Sequence, residues 1–381
     1  MSVLLKYLEK KPLYYDHIDY GRMPRIFRTI SHKFHIPKTV HIIGTNGKGS
    51  TGRFLAQILE SVGLKIGHYT SPHILEFNER IYRDGICVGY DELDILHERL
   101  LAILGEYESE LSYFEYATLL AFLAYEECDY MILEAGVGGE FDATNIVPKE
   151  LSIVTPISLD HQDLLGKTIK EIAFTKLQSV NNIAVIAPQE ENEALEIIKQ
   201  REAILELEFI YIRKSEHESD VEKYASKYSL PYILKENLTT AVSAAKILGF
   251  EADLNKVGKL SLKGRFEKIA SNITIDVGHN ISAANVAAKI FSGKKVILVY
   301  NSYKDKNYNY ILKILTPIVK SVEIIELANP YRADAKNEIR EVLIKQGVDV
   351  KDFGGINQDN EYLVFGSFGV AEKFLRYFNE K

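Results

Sequence analysis

Short runs of Val, Ile and Leu, each followed by a glycine-containing turn and then by a helical pattern, recur along most of this 381-residue chain. The clearest runs lie at 39–46, 130–136, 151–157 and 182–188. Strands that are apolar on both faces are typical of parallel sheets covered by helices on both sides. The repeat therefore predicts an α/β fold built on a mostly parallel sheet.

A second series of the same kind begins near residue 263, so we predict two domains, 1–262 and 263–381. The charged stretch at 190–235 gives no clear assignment. In the second domain, predicted strands alternate with predicted helices. The strands are at 272–278, 294–300, 321–327 and 362–367, and the helices are at 281–291, 307–316, 334–345 and 369–378.

Composition and charge exclude several classes of protein. The net charge of −7 gives no electrostatic reason to expect nucleic acid or an anionic membrane as a partner. No run of about 20 apolar residues predicts a membrane span. The two cysteines, Cys87 and Cys128, form no CxxC pair and no disulfide framework, which favours a reducing cytoplasm.

The segment GTNGKGS, residues 44–50, joins the first predicted strand to a helix predicted over 47–63. Glycines let a backbone turn tightly and direct N–H groups at anionic oxygens, and a helix N-terminus adds partial positive charge. Lys48 can reach nucleotide β- and γ-phosphates, and the Ser50 hydroxyl can coordinate Mg²⁺. Because Gly49 separates these two residues, the spacing differs from GxxxxGK[ST]. We predict a variant phosphate loop; a glycine turn without ligand is the alternative.

The fold class that follows is a P-loop-type, mostly parallel sheet ATP-binding domain, followed by a smaller Rossmann-like α/β domain. Polar residues at the predicted strand ends are the candidates for its chemistry, because ligands bind outside the carboxyl ends of parallel strands. Glu134 ends one strand and is a candidate Mg²⁺ ligand, or else a capping acid. His161 is a candidate ligand of a second divalent ion, with Asp160 orienting it or capping the turn.

Other strand ends carry residues that could face a substrate. Ser71 and His73 follow the strand predicted at 65–70, whereas the helix predicted at 112–127 is a core helix by its pattern alone. In the second domain, Asp276 and His279 lie at a strand end. Arg265, at the domain junction, could stabilise charge on a transferring phosphoryl group or be a solvated cation.

Seven motifs, read together and in order, resemble the folylpolyglutamate synthase and dihydrofolate synthase family of the Mur ligase superfamily, in its bifunctional bacterial form. The likeness extends from about residue 14 to 370. The motifs are GTNGKGS (44–50), SPH (71–73), YFEYAT (113–118), LEAGVGGEFDATN (133–145), SLDH (158–161), KGRFE (263–267) and DVGHN (276–280).

The resemblance implies a role for each matching residue. Catalytic roles fall to Lys48, His161 and Lys176, the last matching a lysine that is carbamylated in this family. Metal ligands would be Ser50, Glu134, His161 and Lys176, for what we expect to be two Mg²⁺ ions. ATP would contact Gly44, Thr45, Asn46, Gly47, Lys48, Gly49, Ser50, Thr51, Asn237, Arg265, Asp276 and His279. The folate substrate would contact Ser71, Pro72, His73, Tyr113 and Phe114, with a pterin pocket that also involves 16–26.

Three positions depart from the family pattern. Glu140 replaces the arginine of GGRLDATN, which removes a cation. The usual EKAGI around Lys176 becomes TKLQS (175–179), and the histidine common after GSF is Gly369.

The resemblance implies a monomeric, cytoplasmic, ATP-dependent ligase that joins L-glutamate to dihydropteroate, to a reduced folate, or to both. The sequence leaves the choice of acceptor open. It also leaves two alternatives: another amino-acid ligase of the Mur superfamily, and a non-catalytic P-loop nucleotide-binding homologue.

Overall fold

The computed structural model describes residues 2–11, 19–213, 218–327 and 332–380. The chain divides into two compact units. Unit 1 comprises Met1–Leu230 and Leu234–Ser261, and unit 2 comprises Pro231–Ile233 and Leu262–Lys381.

Unit 1 alternates strands and helices from the phosphate loop onward. Its elements in chain order are α1 (Val3–Leu8), α2 (Arg22–Ile30), β1 (Lys38–Ile43), α3 (Lys48–Ser61), β2 (Ile66–Tyr69), β3 (Ile81–Arg83), β4 (Ile86–Cys87), α4 (Tyr90–Leu104), α5 (Tyr113–Ala124), β5 (Tyr130–Glu134), β6 (Leu151–Val154), α6 (Gln162–Leu165), α7 (Ile169–Leu177), β7 (Ala184–Ile186), α8 (Asn192–Leu205), β8 (Ile210–Tyr211), α9 (Ser219–Tyr228) and α10 (Tyr232–Ile247), whose first two residues belong to unit 2.

The described strands of unit 1 form one sheet in the order β4-β3-β2-β5-β1-β6-β7-β8. Pairing is parallel from β2 to β8, and β3 pairs antiparallel with both β2 and β4 at one edge. β1 lies at the centre, and Ile42 pairs with Glu134 of β5. The register brings the ends of β1 and β5, and so the residues that follow them, to one edge of the sheet.

Helices cover both faces of this sheet. A cluster of buried side chains from α1, α2, α4 and α5 packs on one side, and another from α7 and α8 packs with β6 and β7. The five residues of β5 and the four of β6 are all buried, as expected for strands covered on both faces.

Unit 2 contains a smaller sheet of the same kind. Its elements are β9 (Glu267–Ala270), β10 (Ile273–Ile275), α11 (Ile281–Ile290), β11 (Val296–Tyr300), α12 (Tyr308–Leu315), β12 (Val319–Ile324), α13 (Lys336–Lys345), β13 (Val350–Asp352), β14 (Tyr362–Phe365) and α14 (Phe368–Asn379). The strand order is β13-β12-β11-β14-β10-β9, and only β9 pairs antiparallel.

The predicted α/β class and mostly parallel sheets are confirmed. The strands end earlier than predicted, because residues 44–46 and 135–136 belong to loops. The unassigned stretch at 190–235 contains α8, β8 and α9. Across the described ranges, none of the helices combines the length and apolar character that crossing a bilayer requires.

Candidate functional site

The phosphate loop lies between β1 and α3, and its shape depends on two glycines. Gly44 has φ +135°, and a Cβ on it would lie 2.1 Å from Thr155 Oγ1 and 2.6 Å from the Thr155 carbonyl oxygen. Gly47, with φ +87°, caps α3. Both positions require glycine, because φ is in the left-handed region and Thr155 leaves no room at residue 44.

The loop is held against the segment that follows β6. The backbone N–H groups of Thr45 and Asn46 both donate to the carbonyl oxygen of Pro156, at 2.8 and 3.2 Å. Thr45 also exchanges hydrogen bonds with Ser158 through its hydroxyl. These contacts fix the loop before any ligand binds, so its remaining N–H groups are preorganised.

The N-terminus of α3 follows directly. The Thr51 N–H donates to the Gly47 carbonyl at 2.9 Å and closes the first turn. The N–H groups of Lys48, Gly49 and Ser50 therefore precede the intrahelical ladder, which makes them donors for an anion. Ser50 and Thr51 are buried side chains at this helix start.

Lys48 and Glu134 come together across the ends of β1 and β5. The Lys48 Nζ atom is 3.9 Å from Glu134 Oε1. The other oxygen of Glu134, Oε2, accepts hydrogen bonds from the Thr70 hydroxyl and, at 3.2 Å, from the Ser71 N–H. The carboxylate is 4% exposed and is thus oriented by the residues that follow β2.

Lys176 on α7 is buried next to the same loop. Its Nζ donates to the carbonyl oxygens of Gly44 at 2.9 Å and Val137 at 2.6 Å. Burial, reinforced by the positive charge of Lys48, lowers the pKa of Lys176 to about 7, and Asp142 and Asp160 only partly oppose this. A lysine whose pKa is near 7 carries a substantial fraction of uncharged amine at neutral pH.

His161 lies at the start of α6, in the left-handed conformation with φ +49°. Its side chain is exposed, and its backbone N–H donates to Asp160 Oδ1 at 2.9 Å, so Asp160 caps the turn. The negative charge of Asp160 opposes, in part, the lowering of the Lys176 pKa by burial.

The candidate metal donors are chemically mixed. Within the part of the chain that the structure describes, there is no group of three or more His, Cys, Asp or Glu suited to a metal ion. Ser50 and Glu134 offer one hydroxyl and one carboxylate beside the phosphate loop. Two hard oxygen donors suit Mg²⁺, which usually takes its other ligands from water and substrate phosphates.

Asn237 on α10 touches the phosphate loop. Its Oδ1 atom lies 2.8 Å from where a Cβ on Gly47 would stand. Asn237 is 4% exposed, so the loop and this helix are in close contact. The structure thus places Asn237 beside the phosphate loop, and its contact with ATP stays a prediction.

The residues expected to contact the substrate surround the ends of β2 and β5 and the start of α5. Ser71 and Pro72 are joined by a cis peptide bond. The His73 Nδ1 atom accepts a 2.9 Å hydrogen bond from Arg80 Nε, and the Arg80 guanidinium lies 5.4 Å from the centre of the Tyr113 ring. These contacts join the SPH motif to α5.

Phe114 and Glu115 follow on α5. The Phe114 ring lies 2.7 Å from where a Cβ on Gly136 would stand, so the glycine admits the ring. Glu115 is paired with Arg22 of α2 at 2.7 Å. Arg22 belongs to the 16–26 segment, of which residues 16–18 lie outside the described residues.

In unit 2, Arg265 lies just before β9, and Asp276 and His279 lie just after β10. The three residues lie together. Asp276 accepts hydrogen bonds from the N–H groups of Phe266 at 3.0 Å and Gly278 at 2.8 Å. Burial raises the pKa of Asp276 to about 6, although nearby Arg265 and these two N–H donors act in the opposite direction.

The ring of Phe368 lies near both Arg265 and His279. The Arg265 guanidinium carbon is 5.2 Å from the centre of the Phe368 ring, and the His279 ring centre is 6.4 Å from it. Asn280 caps α11 through a hydrogen bond from the Ala283 N–H at 2.9 Å. Asn280 is thus the N-cap of α11, and the ATP contact of His279 stays a prediction.

Comparison with known proteins agrees with this geometry. A model of the Mur ligase middle domain matches residues 42–249. A dihydrofolate synthase/folylpolyglutamate synthase from Haemophilus influenzae is 30% identical over 97% of this chain and 95% of its own length. The chain belongs to the dihydrofolate synthase/folylpolyglutamate synthase family.

Solved structures of this family have the same fold. The folylpolyglutamate synthetase of Helicobacter pylori is 37% identical, with a TM-score of 0.81 over 99% of this chain and 98% of that one. The Escherichia coli protein FolC, solved in complex with DHPP and ADP, is 25% identical, with a TM-score of 0.82 over 99% of this chain and 97% of that one.

The three departures from the family pattern lie in different structural environments. Glu140 is exposed, and its carbonyl accepts a hydrogen bond from Asn145 Nδ2 at 2.8 Å. Lys176, within the segment TKLQS, is buried. A side chain on Gly369 would meet Tyr303, whose hydroxyl oxygen lies 2.8 Å from the position of its Cβ.

Sequence reasoning missed residues that shape the site from a distance. Asp142 accepts hydrogen bonds from the N–H groups of Val137, Gly138 and Thr144, at 3.1, 2.7 and 3.1 Å, and so folds the loop that receives Lys176. Asp142 lies in the motif LEAGVGGEFDATN, and this position was the signal that could have identified it. Thr70, immediately before SPH, was not singled out either.

A second missed set lies along α3. Gln57 Nε2 donates to the carbonyl oxygens of Gly258 and Lys259, at 3.4 and 3.0 Å, and its Oε1 accepts from the Ser261 N–H at 3.2 Å. The buried Arg53 donates to the Ser261 carbonyl at 2.5 Å. The phosphate-loop helix therefore also holds the last residues of unit 1.

Proposed function

We propose that this chain is an ATP-dependent ligase that joins L-glutamate to the carboxylate of dihydropteroate and of a reduced folate, in folate biosynthesis. The observation that carries the proposal is the convergence of the phosphate loop, Lys48, Glu134 and Lys176 at one sheet edge, in a chain of the dihydrofolate synthase/folylpolyglutamate synthase family.

Binding of ATP would use the preorganised loop. The N–H groups at the start of α3 and the Lys48 ammonium face the triphosphate, while Ser50 and Glu134 would hold Mg²⁺. The metal would supply charge neutralisation on the phosphate oxygens. Arg265, Asp276 and His279 would also contact ATP, as the family resemblance implies.

The reaction requires two transfers. A carboxylate oxygen of the folate substrate attacks the γ-phosphorus, the bond to the bridging oxygen of ADP breaks, and an acyl phosphate forms. The glutamate amine then attacks the acyl carbon and loses a proton, and phosphate leaves. The protein acts mainly by positioning and electrostatics, as in other phosphoryl transfers.

Lys176 would serve as a carbamate. Its uncharged amine, favoured by the pKa near 7, can add to CO₂ and lose a proton, which converts a buried cation into an anionic oxygen ligand. Together with His161, this group would hold a second Mg²⁺. The carbamate nitrogen would keep one N–H, which can still donate to one of the two carbonyl oxygens, of Gly44 or Val137, that now accept from Nζ.

The two domains would have different roles in substrate binding. Residues 1–262 would bind ATP and the pterin or folate, the latter through Ser71, Pro72, His73, Tyr113 and Phe114, and residues 263–381 would serve the glutamate ligation. A monomer suffices for this arrangement. The chain has only two cysteines and no CxxC pair, which favours a cytoplasmic location.

The test is glutamate-dependent ADP release with Mg²⁺, with dihydropteroate and tetrahydrofolate offered separately and products identified by mass spectrometry. We expect a mass gain of one glutamate on both acceptors. Gain on one acceptor alone would name a single activity. No product with either would refute the proposal for a protein that still binds ATP.

A further inference from the structure

A chain of three hydrogen-bonded side chains leads from the central strand β1 to the loop that follows β5. His41 of β1 and Thr144 are both 0% exposed, and the His41 Nε2 atom lies 2.9 Å from the Thr144 Oγ1 atom. The Thr144 hydroxyl donates to Asp142 Oδ1 at 2.6 Å, and the Thr144 N–H donates to the same oxygen at 3.1 Å. None of the three side chains contacts ATP or an acceptor in the proposed reaction.

The direction of these hydrogen bonds follows from the carboxylate. A carboxylate has only acceptor oxygens, so the Thr144 hydroxyl uses its one hydrogen for Asp142 and can only accept from His41, which places the ring proton on Nε2. The other ring nitrogen, Nδ1, is buried and has no hydrogen-bond partner among the described residues. Burial, reinforced by the charge of Lys149, lowers the pKa of His41 to about 3, although Asp142 opposes this. His41 is therefore the neutral Nε2–H tautomer at neutral pH.

The other end of this chain of hydrogen bonds shapes the loop 135–142. The second carboxylate oxygen of Asp142, Oδ2, accepts from the N–H groups of Val137 and Gly138 at 3.1 and 2.7 Å. Gly138 has φ +93° and Gly139 has φ +105°, and glycine also populates many other conformations at little cost. Such a loop keeps one shape only where hydrogen bonds fix it, and Asp142 accepts two of them.

The shape of this loop determines what lies next to Lys176. The Val137 carbonyl oxygen accepts from Lys176 Nζ at 2.6 Å, and a Cβ on Gly138 would lie 3.5 Å from the same nitrogen. Lys176 is 2% exposed, and its Nζ also donates to the Gly44 carbonyl at 2.9 Å. One of the two carbonyl groups that hold the amine therefore belongs to a loop whose shape is fixed by Asp142.

We propose that Thr144 is a positioning residue for the ligase reaction, through the hydroxyl that joins Asp142 to His41. This connection holds the loop in the conformation in which the Val137 carbonyl accepts from Lys176. Its effect is to keep the Lys176 amine buried beside the phosphate loop in one orientation. The role in the reaction rests on the proposed function, whereas the hydrogen-bonded connection from β1 to Lys176 does not.

The first experiment measures the protection of Lys176 and needs no substrate. Thr144→Val removes the hydroxyl and retains the shape of the side chain, whereas Thr144→Ser keeps the hydroxyl. In CO₂-free buffer, N-hydroxysuccinimidyl acetate should acetylate Lys176 about tenfold faster in Thr144→Val than in the wild type or in Thr144→Ser, because the loop opens more often. Mass spectrometry of the peptides gives the rates. Lys170, half-exposed on the same helix α7, should react equally in all three proteins.

Asp142→Asn tests the same connection from its other end. The amide has the size of the carboxylate but only one acceptor oxygen, so it cannot accept from Thr144 and from both loop N–H groups as the carboxylate does. It should also raise the acetylation rate of Lys176, and it keeps the test decisive if Thr144→Val does not fold. Wild-type acetylation of Lys176 in the folded variants would overturn the proposal.

The second experiment separates positioning from a purely structural role. Thr144→Val should lower kcat about tenfold, because the Lys176 amine is no longer held in one orientation. The KM for ATP should change less than about twofold, since the Pro156 carbonyl holds Thr45 and Asn46 of the phosphate loop independently of Lys176. Thr144→Ser should have the kcat of the wild type.

The two measurements together distinguish the possible failures. Faster acetylation of Lys176 in Thr144→Val with an unchanged kcat would overturn the positioning role. Faster acetylation in that variant, in a protein whose wild type shows no ligase activity, would refute the proposed function while the connection from His41 to Lys176 stands.

Discussion

The side-chain amine of Lys176 donates a 2.9 Å hydrogen bond to the carbonyl oxygen of Gly44, the first residue of the phosphate loop. Through its second bond, to Val137, the same amine reaches the loop that follows Glu134. One buried nitrogen thus connects the two loops that carry the candidate phosphate and metal ligands. Its protonation state and its removal both have measurable consequences.

The stability of the wild type should depend on pH through Lys176. The folded-state pKa is about 7 and the ordinary value is 10.5, so the unfolded state binds more protons between these limits. Stability therefore rises with pH across this window, by up to about 1.4 kcal/mol per pH unit, relative to Lys176→Met. Urea unfolding of both proteins from pH 6 to 10, in CO₂-free buffer, measures the difference.

The matched control for this series is Lys170→Met, at a half-exposed position of α7. The difference in unfolding free energy between the wild type and Lys170→Met should not rise with pH. A free-energy difference between wild type and Lys176→Met that stays constant from pH 7 to 10 would show that the Lys176 amine is not perturbed.

Lys48→Ala should lower kcat roughly 100-fold, the usual effect of removing one charged group that stabilises a transition state. The free energy of unfolding should change by less than about 1 kcal/mol, because Glu134 keeps its hydrogen bonds from Thr70 and Ser71. Steady-state ADP release and urea unfolding give the two quantities. Lys65→Ala, at an exposed position, serves as the control. Wild-type turnover in Lys48→Ala would remove Lys48 from the site.

Glu134→Gln should raise the Mg²⁺ concentration needed for half-maximal activity at least about tenfold. The amide retains the shape of the side chain and an oxygen that can accept from Thr70, but it loses the charge that a hard cation prefers. Activity titrations with Mg²⁺, and Mn²⁺ binding followed by electron paramagnetic resonance, measure the change. Glu150→Gln, at an exposed position, should behave as wild type; if Glu134→Gln does too, Glu134 is not a metal ligand.

Gln57→Ala should release residues 258–261 from α3. It removes two hydrogen bonds to carbonyl oxygens and one from the Ser261 N–H. We expect the Ser261 amide to exchange its hydrogen about tenfold faster, as measured by hydrogen–deuterium exchange. Ser61→Ala, which removes only a bond within α3 to Ile58, is the control. Equal exchange in both variants would mean that Gln57 does not hold the segment.

The site residues that could be predicted from the sequence are those identified by the residues next to them in the chain. Lys48 and Ser50 stand in a glycine-rich turn, and Glu134 and His161 end apolar runs, so each is marked by the residues beside it. Lys176 was found only through the family resemblance, because a lysine in a helix has no local signature. Its low pKa follows from burial, which the sequence does not state.

The parts that could not be predicted depend on pairs distant in sequence. No local pattern relates Thr155 to Gly44, Gln57 to Ser261, or Tyr303 to Gly369, since each pair is fixed by sheet order and packing. The hairpin of β3 and β4 was missed for a different reason: strands of three and two residues are too short to show a period.

Helix α3 begins at Lys48 and holds residues 258–261 through Arg53 and Gln57. Each residue of an α-helix turns the chain by about 100° and advances it by about 1.5 Å. A single insertion between Lys48 and Gln57 would therefore rotate the anchoring side chains away from the segment they hold, whereas many substitutions on the helix would not. Homologous chains should accordingly vary in composition along this stretch while keeping its length constant.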